Sequence, residues 1–515
     1  MWIPELAHIF TRFCMPQCWG VPSTSADSSA VSGAAGINRT SVKLASPTES
    51  VTRSFRDPAG AVLRHGSRIL RIVYPESVTD LEAFLATGGA RQAMEAGKLV
   101  RSVRLPAAES ADLGFDQQCV YEHERVSFAS YPAEWPPEML HAAGELTLEL
   151  FGRALEDGFG LKDATPYNVL FRGPHPIFVD VLSFERRDSL DATWMAYGQF
   201  ARTFLLPLAA WRYFGFQPAS TFAGQRDGLE PETVYRWAGL RRRLTPPFLG
   251  LVTVPKWLTS RASAGMYRPR RCSSAEQAQF ILKRLVAGCG RQLRGLRPRA
   301  NAVSAWSDYL DHKSLYSPAQ LAQKEAFVLD ALELTKARKV LDVGANEGRF
   351  SMLAARHGAS VVAIDTDPVV VGKLWTQAAQ EDLNILPLVV DLTRPTPAVG
   401  WRNQECESFL DRARGKFDLV MLLAVMHHLL VTERVPLDDV LSLVCDLTTD
   451  HALIEFVAPE DPMFQRIVRG RERLYSHLTF GAFEAAAAQR FELVKSQKLD
   501  GLNRCLYLLR RRASN

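Results

Sequence analysis

Downstream of residue 338, short apolar runs recur at regular intervals. The runs at 340–343, 360–364 and 385–390, with FDLVMLL and ALIEFV further on, are separated by stretches with helical spacing. Continuous apolar runs alternating with helical segments predict a parallel sheet covered on both faces. The chain closes on FELVKSQKL and RCLYLLRRR, which predict a final antiparallel pair. The upstream pattern is different. AVLRHGSRILRIVY predicts a hairpin turning at His65-Gly66, residues 81–96 and 137–159 have helical periodicity, and RVSFASY alternates as a strand does. NVLF and IFVDVL predict two short strands around Gly173-Pro174. Residues 190–300 are mostly helical in pattern, and a further helix is predicted over 318–334.

With 515 residues the chain exceeds one ordinary core, so two or three domains are expected. The patterns divide it into 1–53, 54–189, 190–310 and 311–515. The first segment is rich in Ser, Thr, Ala and Gly and is expected to be disordered. The second is a mixed α+β domain, the third a helical connection and the fourth an α/β domain. The connection is basic, with Arg241 to Arg243, Arg268, Arg270, Arg271, Arg291, Arg294, Arg297 and Arg299. Such charges serve either as solvated helix faces or as a surface for an anionic partner. A net charge of only +5 does not describe a dedicated nucleic-acid binder. Cys14 and Cys18 have no matching Cys/His pair, so no metal site is expected. The start of the chain lacks a basic region before an apolar run. No apolar stretch approaches the ~20 residues a bilayer demands. A cytoplasmic protein without a membrane span is expected.

The chemistry concentrates in LDVGANEGRF and the strand after it. Asp342, Gly344, Asn346 and Gly348 form D-x-G-x-N-x-G between a strand and a helix. Glycines let the backbone turn sharply and approach a ligand, and the helix start presents free N–H groups to it. Asp365 ends the second strand, 23 positions after Asp342. An acid at that spacing accepts hydrogen bonds from both ribose hydroxyls. Asp391, ending the third strand, could accept an adenine amino group. His427 and His428 follow the fourth strand and Glu455 lies in the fifth. Either imidazole could take a proton near pH 7, or shape the pocket without doing so, and Glu455 is a second base or substrate contact.

These motifs resemble those of S-adenosylmethionine-dependent methyltransferases with a Rossmann-like fold. LDVGANEGRF is similar to that family's first motif, AIDTD to its second, VVDL to its third and FDLVMLLAVMHHL to its fourth. The resemblance implies a seven-stranded sheet with a reversed last strand, with S-adenosylmethionine as cofactor. Asp342 and Gly344 would lie against its methionine part, Asp365 at its ribose and Asp391 near adenine. Asn346 departs from the commoner glycine. Without an N-P-P-Y motif or a cysteine pair, oxygen and nitrogen acceptors on a small molecule or saccharide stay open. Ahead of the first strand, Tyr309, Tyr316 and Lys324 either cap the cofactor or pack on the sheet edge.

GLKDATPYNVLFRGPHPIFVDVLSFE places Asp163, Asn168 and Asp180 in the order of an acid, an amide and a metal-holding acid. This region resembles the protein-kinase and aminoglycoside-phosphotransferase fold. It lacks the glycine-rich loop and the phosphate-pairing lysine, which leaves Arg68 or Arg71 in that place. Three readings stay open: an active phosphotransferase, a degenerate domain that binds substrate, nucleotide or partner, and a set of turn-forming residues. The full layout resembles a group of large bacterial methyltransferase-like proteins, some linked to host-specific nodulation. The expected activity is methyl transfer with the N-terminal domain selecting or presenting the acceptor. A cofactor-binding scaffold and a bifunctional phosphotransferase–methyltransferase are the alternatives.

Overall fold

The computed structural model describes residues 57–115, 118–259, 271–299, 304 and 316–513. The segment 1–53, Tyr309, Arg268 and Arg270 lie outside the described residues, as do Cys14 and Cys18.

Strands β1 (Gly60–His65) and β2 (Arg68–Val73) form the expected hairpin, with Gly66 at φ 58° in its turn. With β3 (Ser102–Arg104) and β4 (Cys119–His123) they make an antiparallel sheet in the order β1-β2-β4-β3. RVSFASY is therefore not a strand: the strand is CVYEH just before it, and 125–131 is a loop. Its alternation has another origin. Phe128 and Ser130 are buried, and the Phe128 ring lies 6.0 Å from both Phe409 and Phe417 of the C-terminal half. The helical stretch 81–96 is two helices, Pro75–Leu85 and Gly88–Glu95. Thr87 takes an extended conformation between them and caps Ala90 N.

The helix Pro137–Glu156 runs through the centre of the N-terminal half, with its apolar positions buried. Two small antiparallel pairs lie beside it, β5 (Phe159–Leu161) with β8 (Phe184–Arg186) and β6 (Val169–Arg172) with β7 (His175–Phe178). Helices then dominate as far as Ala275–Gly295.

The C-terminal half is the expected α/β sheet. Strands β9 (Lys339–Val343), β10 (Ser360–Asp365), β11 (Ile385–Val389), β12 (Phe417–Leu422), β13 (Thr448–Val457), β14 (Phe491–Lys498) and β15 (Arg504–Arg511) are ordered β11-β10-β9-β12-β13-β15-β14. Strands β9 to β13 are parallel, and β15 runs antiparallel to both its neighbours. The strand order reverses between β9 and β12. In open α/β sheets ligands bind outside the carboxyl ends of the strands at that point.

The two halves share one apolar core. At its centre Arg412, 5% exposed, reaches across to Ala129 O and to the Glu134 carboxylate, which is 0% exposed. The guanidinium is packed over Phe128, Tyr131 and Phe409. Trp375 Nε1 donates to Pro174 O at 3.0 Å farther along the seam. No helix among the described residues is long and apolar enough to cross a membrane.

Candidate functional site

The turn after β9 is built by positive-φ backbone. Gly344 has φ 69°, and a Cβ on it would lie 2.2 Å from the Val425 side chain. Gly348 has φ 82°, where a Cβ would meet Leu374 at 2.1 Å. Both positions therefore need glycine. Asn346 has φ 50° and its Oδ1 accepts from Glu347 N at 2.6 Å. Asparagine tolerates the left-handed region through such local bonds, so the departure from glycine leaves the turn intact. The helix Arg349–Arg356 starts directly from Gly348.

Asp365 faces this turn from the end of β10. Its Oδ2 accepts from Asn346 N at 2.9 Å and its Oδ1 from Asp367 N at 3.0 Å. Burial raises its carboxyl, against the lowering effect of those N–H groups. Asp342 is 2% exposed and accepts from Ser351 Oγ at 2.6 Å. Burial pushes it up to about 7. Asp391 turns toward its own loop: Oδ1 accepts from Thr393 N and Oγ1, and Oδ2 from Arg394 Nη1 at 3.3 Å. An adenine contact would have to share these bonds.

On the other side of the switch point, β12 ends at Leu422 and Ala424 takes φ 61°. His427 follows, and a π-helical turn spans His428–Thr432. Such turns and non-glycine positive φ cluster at functional sites. The two imidazoles lie 4.3 Å apart, centroid to centroid. His427 is 3% exposed, and its Nδ1 has no hydrogen-bond partner among the described residues. Burial, then His428, Arg504 and Lys324, hold it well below the ordinary histidine value. His428 is half-buried and lowered by burial alone.

Glu455 lies at the centre of a buried charge network. It pairs with Lys324 Nζ at 2.6 Å, accepts from Tyr316 Oη at 2.5 Å and lies 3.5 Å from Arg504 Nη1. Arg504 also binds Asp461 bidentately, at 2.8 and 3.0 Å, and donates to Tyr316 Oη. Burial alone would raise the Glu455 carboxyl, but Lys324 and Arg504 outweigh it and hold the group ionised. So held, Glu455 anchors a network and is a poor proton acceptor. Tyr316 and Lys324 were legible as neighbours of the site. Arg504 and Asp461 were not, because no local pattern links the start of β15 to residues some forty positions earlier.

The turn is compatible with an adenosyl ligand: its two glycines carry no side chain, and the half-buried Asp365 carboxylate faces it from β10. Among the described residues no group of three His, Cys, Asp or Glu side chains could hold a metal.

In the N-terminal half the structure brings Asp163, Asn168 and Asp180 together. Asn168 Nδ2 donates to Asp163 O at 3.3 Å and to Ser183 Oγ at 3.1 Å. Ser183 Oγ in turn donates to Asp180 Oδ2 at 2.5 Å. Arg71, 5% exposed, pairs with Asp180 at 2.9 Å and donates to His123 Nε2 at 2.9 Å. Burial, with its charged neighbour Arg71, pushes His123 down to about 3. Burial and then Asp180 raise the Asp163 carboxyl. Arg68 instead binds Glu109 and Glu122.

Comparison with known proteins places a methyltransferase domain at residues 306–504. The nodulation protein NoeA of Rhizobium meliloti (strain 1021) is 30% identical over 465 residues, covering 90% of this chain and 96% of that protein. Among solved structures, the N-methyltransferase NodS from Bradyrhizobium japonicum WM9 matches 38% of this chain and 99% of its own, at 15% identity and TM-score 0.29. WbdD matches 39% of this chain and 42% of its own, at 20% identity and TM-score 0.29.

Proposed function

Since the chain belongs to the family of the nodulation protein NoeA, we propose that it methylates an oxygen or nitrogen of a small-molecule or saccharide acceptor. Its C-terminal region is a methyltransferase domain and S-adenosylmethionine is the methyl donor. We read 311–515 as this domain, 190–310 as a connection and 54–189 as a kinase-like domain that selects or presents the acceptor, all in the cytoplasm.

The observation that carries the reading is the turn between Gly344 and Gly348 with the Asp365 carboxylate facing it. Asp365, already fixed by two N–H groups, keeps lone pairs for the ribose hydroxyls. The tight turn from Gly344 to Gly348 admits the methionine end, beside Asp342. Asp391 borders the adenine side. The bound cofactor supplies a methyl group made electrophilic by its sulfonium. What the chain must add is position and a proton acceptor. His428 is assigned as that acceptor, being neutral and half-buried. His427, more deeply buried and closer to Arg504 and Lys324, walls the pocket and orients the acceptor. The Lys324–Glu455–Arg504–Asp461 network holds that wall rigid.

Titration with S-adenosylhomocysteine tests the cofactor assignment. Asp365→Ala should weaken binding by about 3 kcal/mol, roughly a hundredfold, as expected for loss of two hydrogen bonds to a charged group. Unchanged affinity in a variant of normal melting temperature would refute the ribose role.

The N-terminal half is proposed as non-catalytic, because Arg71 already neutralises Asp180, where a phosphotransferase would hold magnesium. Magnesium with ATP should leave the melting temperature unchanged. A rise of several degrees would restore the bifunctional reading.

A further inference from the structure

The basic connection contributes none of the residues assigned above to the cofactor turn or the proposed base, and its surface is unusual. Between Pro231 and Trp257 the chain carries five basic residues, Arg236, Arg241, Arg242, Arg243 and Lys256, against the single acid Glu232. Arg243 is turned inward, donating to Tyr235 O and Ala238 O, with its guanidinium 3.9 Å from the Tyr235 ring centroid. Arg236 and Arg241 are exposed.

Large apolar side chains stand among these charges. Leu240 is 77% exposed and Leu244 65% exposed. Leu240 opens the short helix Leu240–Arg243 and Leu244 directly follows it, so the two leucines flank the arginines of that turn. Trp237 and Phe216, both exposed, lie with their ring centroids 5.4 Å apart. Isolated exposed leucines need no explanation, but leucine, tryptophan and arginine grouped on one short segment, with Phe216 beside its Trp237, do.

We propose that this surface docks on an anionic lipid bilayer. Leucine side chains enter the acyl boundary, tryptophan and phenylalanine lie at headgroup level, and arginines meet lipid phosphates. A nucleic acid would use the arginines but gains nothing from Leu240 and Leu244. The docking is peripheral: no helix among the described residues is long and apolar enough to cross a membrane. It is independent of the identity of the methyl acceptor.

The test is co-sedimentation of the full chain with phosphatidylcholine vesicles, with and without a third of phosphatidylglycerol. Binding is expected to the anionic vesicles and to fall as salt is raised. The double variant Leu240→Ser/Leu244→Ser should bind at least about tenfold more weakly. Arg236→Gln/Arg241→Gln should lose roughly fivefold per arginine. All four positions are exposed, so melting temperature and S-adenosylhomocysteine affinity should not move. Equal binding to neutral and anionic vesicles, or undiminished binding in both variants, would overturn the proposal. So would a wild-type dimer that Leu240→Ser/Leu244→Ser converts to monomer, which would assign the patch to a second copy. DNA binding lost only in the arginine variant, with no vesicle binding, would assign it to nucleic acid.

Discussion

A buried carboxyl at the end of β9 carries a consequence for stability. Asp342 rises from 3.8 to about 7 because burial disfavours its charged form, although Ser351 and Lys324 pull the other way. A group that holds its proton more tightly when folded stabilises the fold most below its unfolded value. That contribution is lost as pH rises through the folded one. Between about pH 5 and about pH 8 this group therefore makes the melting temperature of the ligand-free protein fall as pH rises, while the buried histidines His123, His427 and His428, lowered by burial, act in the opposite direction. Asp342→Asn should remove the falling contribution, so that the variant gains melting temperature relative to the wild type as pH rises. Glu138, which burial also raises to about 7, contributes in the same direction as Asp342. If Asp342→Asn gained nothing relative to the wild type across that range, burial would not be what governs this group. Asn346 shows the opposite economy at residue scale. The αL conformation that a β-branched residue would resist costs an asparagine little, so the sequence departs from glycine while the turn does not.

At the scale of elements, the π-helical turn at His428–Thr432 carries the proposed base. It holds two adjacent imidazoles at the mouth of the sheet, both lowered by burial. A base whose folded value is lowered stays unprotonated to lower pH. The acidic limb of kcat should consequently fall below the ordinary imidazole value of about 6.5. His428→Ala should cut kcat by about a hundredfold or more and remove that limb, leaving the affinity for S-adenosylhomocysteine intact. A variant that lost kcat but kept the limb would move the base elsewhere. Elements of this kind were legible where the physics is local. Strands β9 to β13 announce themselves as apolar runs, and the glycine turn by its spacing. RVSFASY misled because its alternation records docking on Phe409 and Phe417 and not pairing in a sheet. The Glu455 network was half legible: Lys324 lies on the leading helix Pro318–Thr335 and Tyr316 just before it, whereas Arg504 and Asp461 arrive through tertiary contact alone. The Asp163–Asn168–Asp180 cluster was legible as a motif, but the Arg71 pairing that neutralises it needed the fold.

At the scale of the whole molecule, the seam decides whether the halves behave as one body. Arg412 and Glu134 are both buried and come from opposite halves. Removing one partner strands the other charge away from water, which typically costs about 3–5 kcal/mol. Arg412→Ala should lose about that much and lower the melting temperature. A double replacement, Arg412→Met with Glu134→Gln, should recover much of it, because neither side is then left charged and unpaired. Since the apolar core runs through the seam without a break, calorimetry of the wild type should give a single transition, and S-adenosylhomocysteine should raise it as a whole. Two transitions, only one of them shifted by the ligand, would mean that the N-terminal half is carried by the methyltransferase and not built into it. The role of selecting or presenting the acceptor would then need a flexible tether and not the rigid seam seen around Arg412.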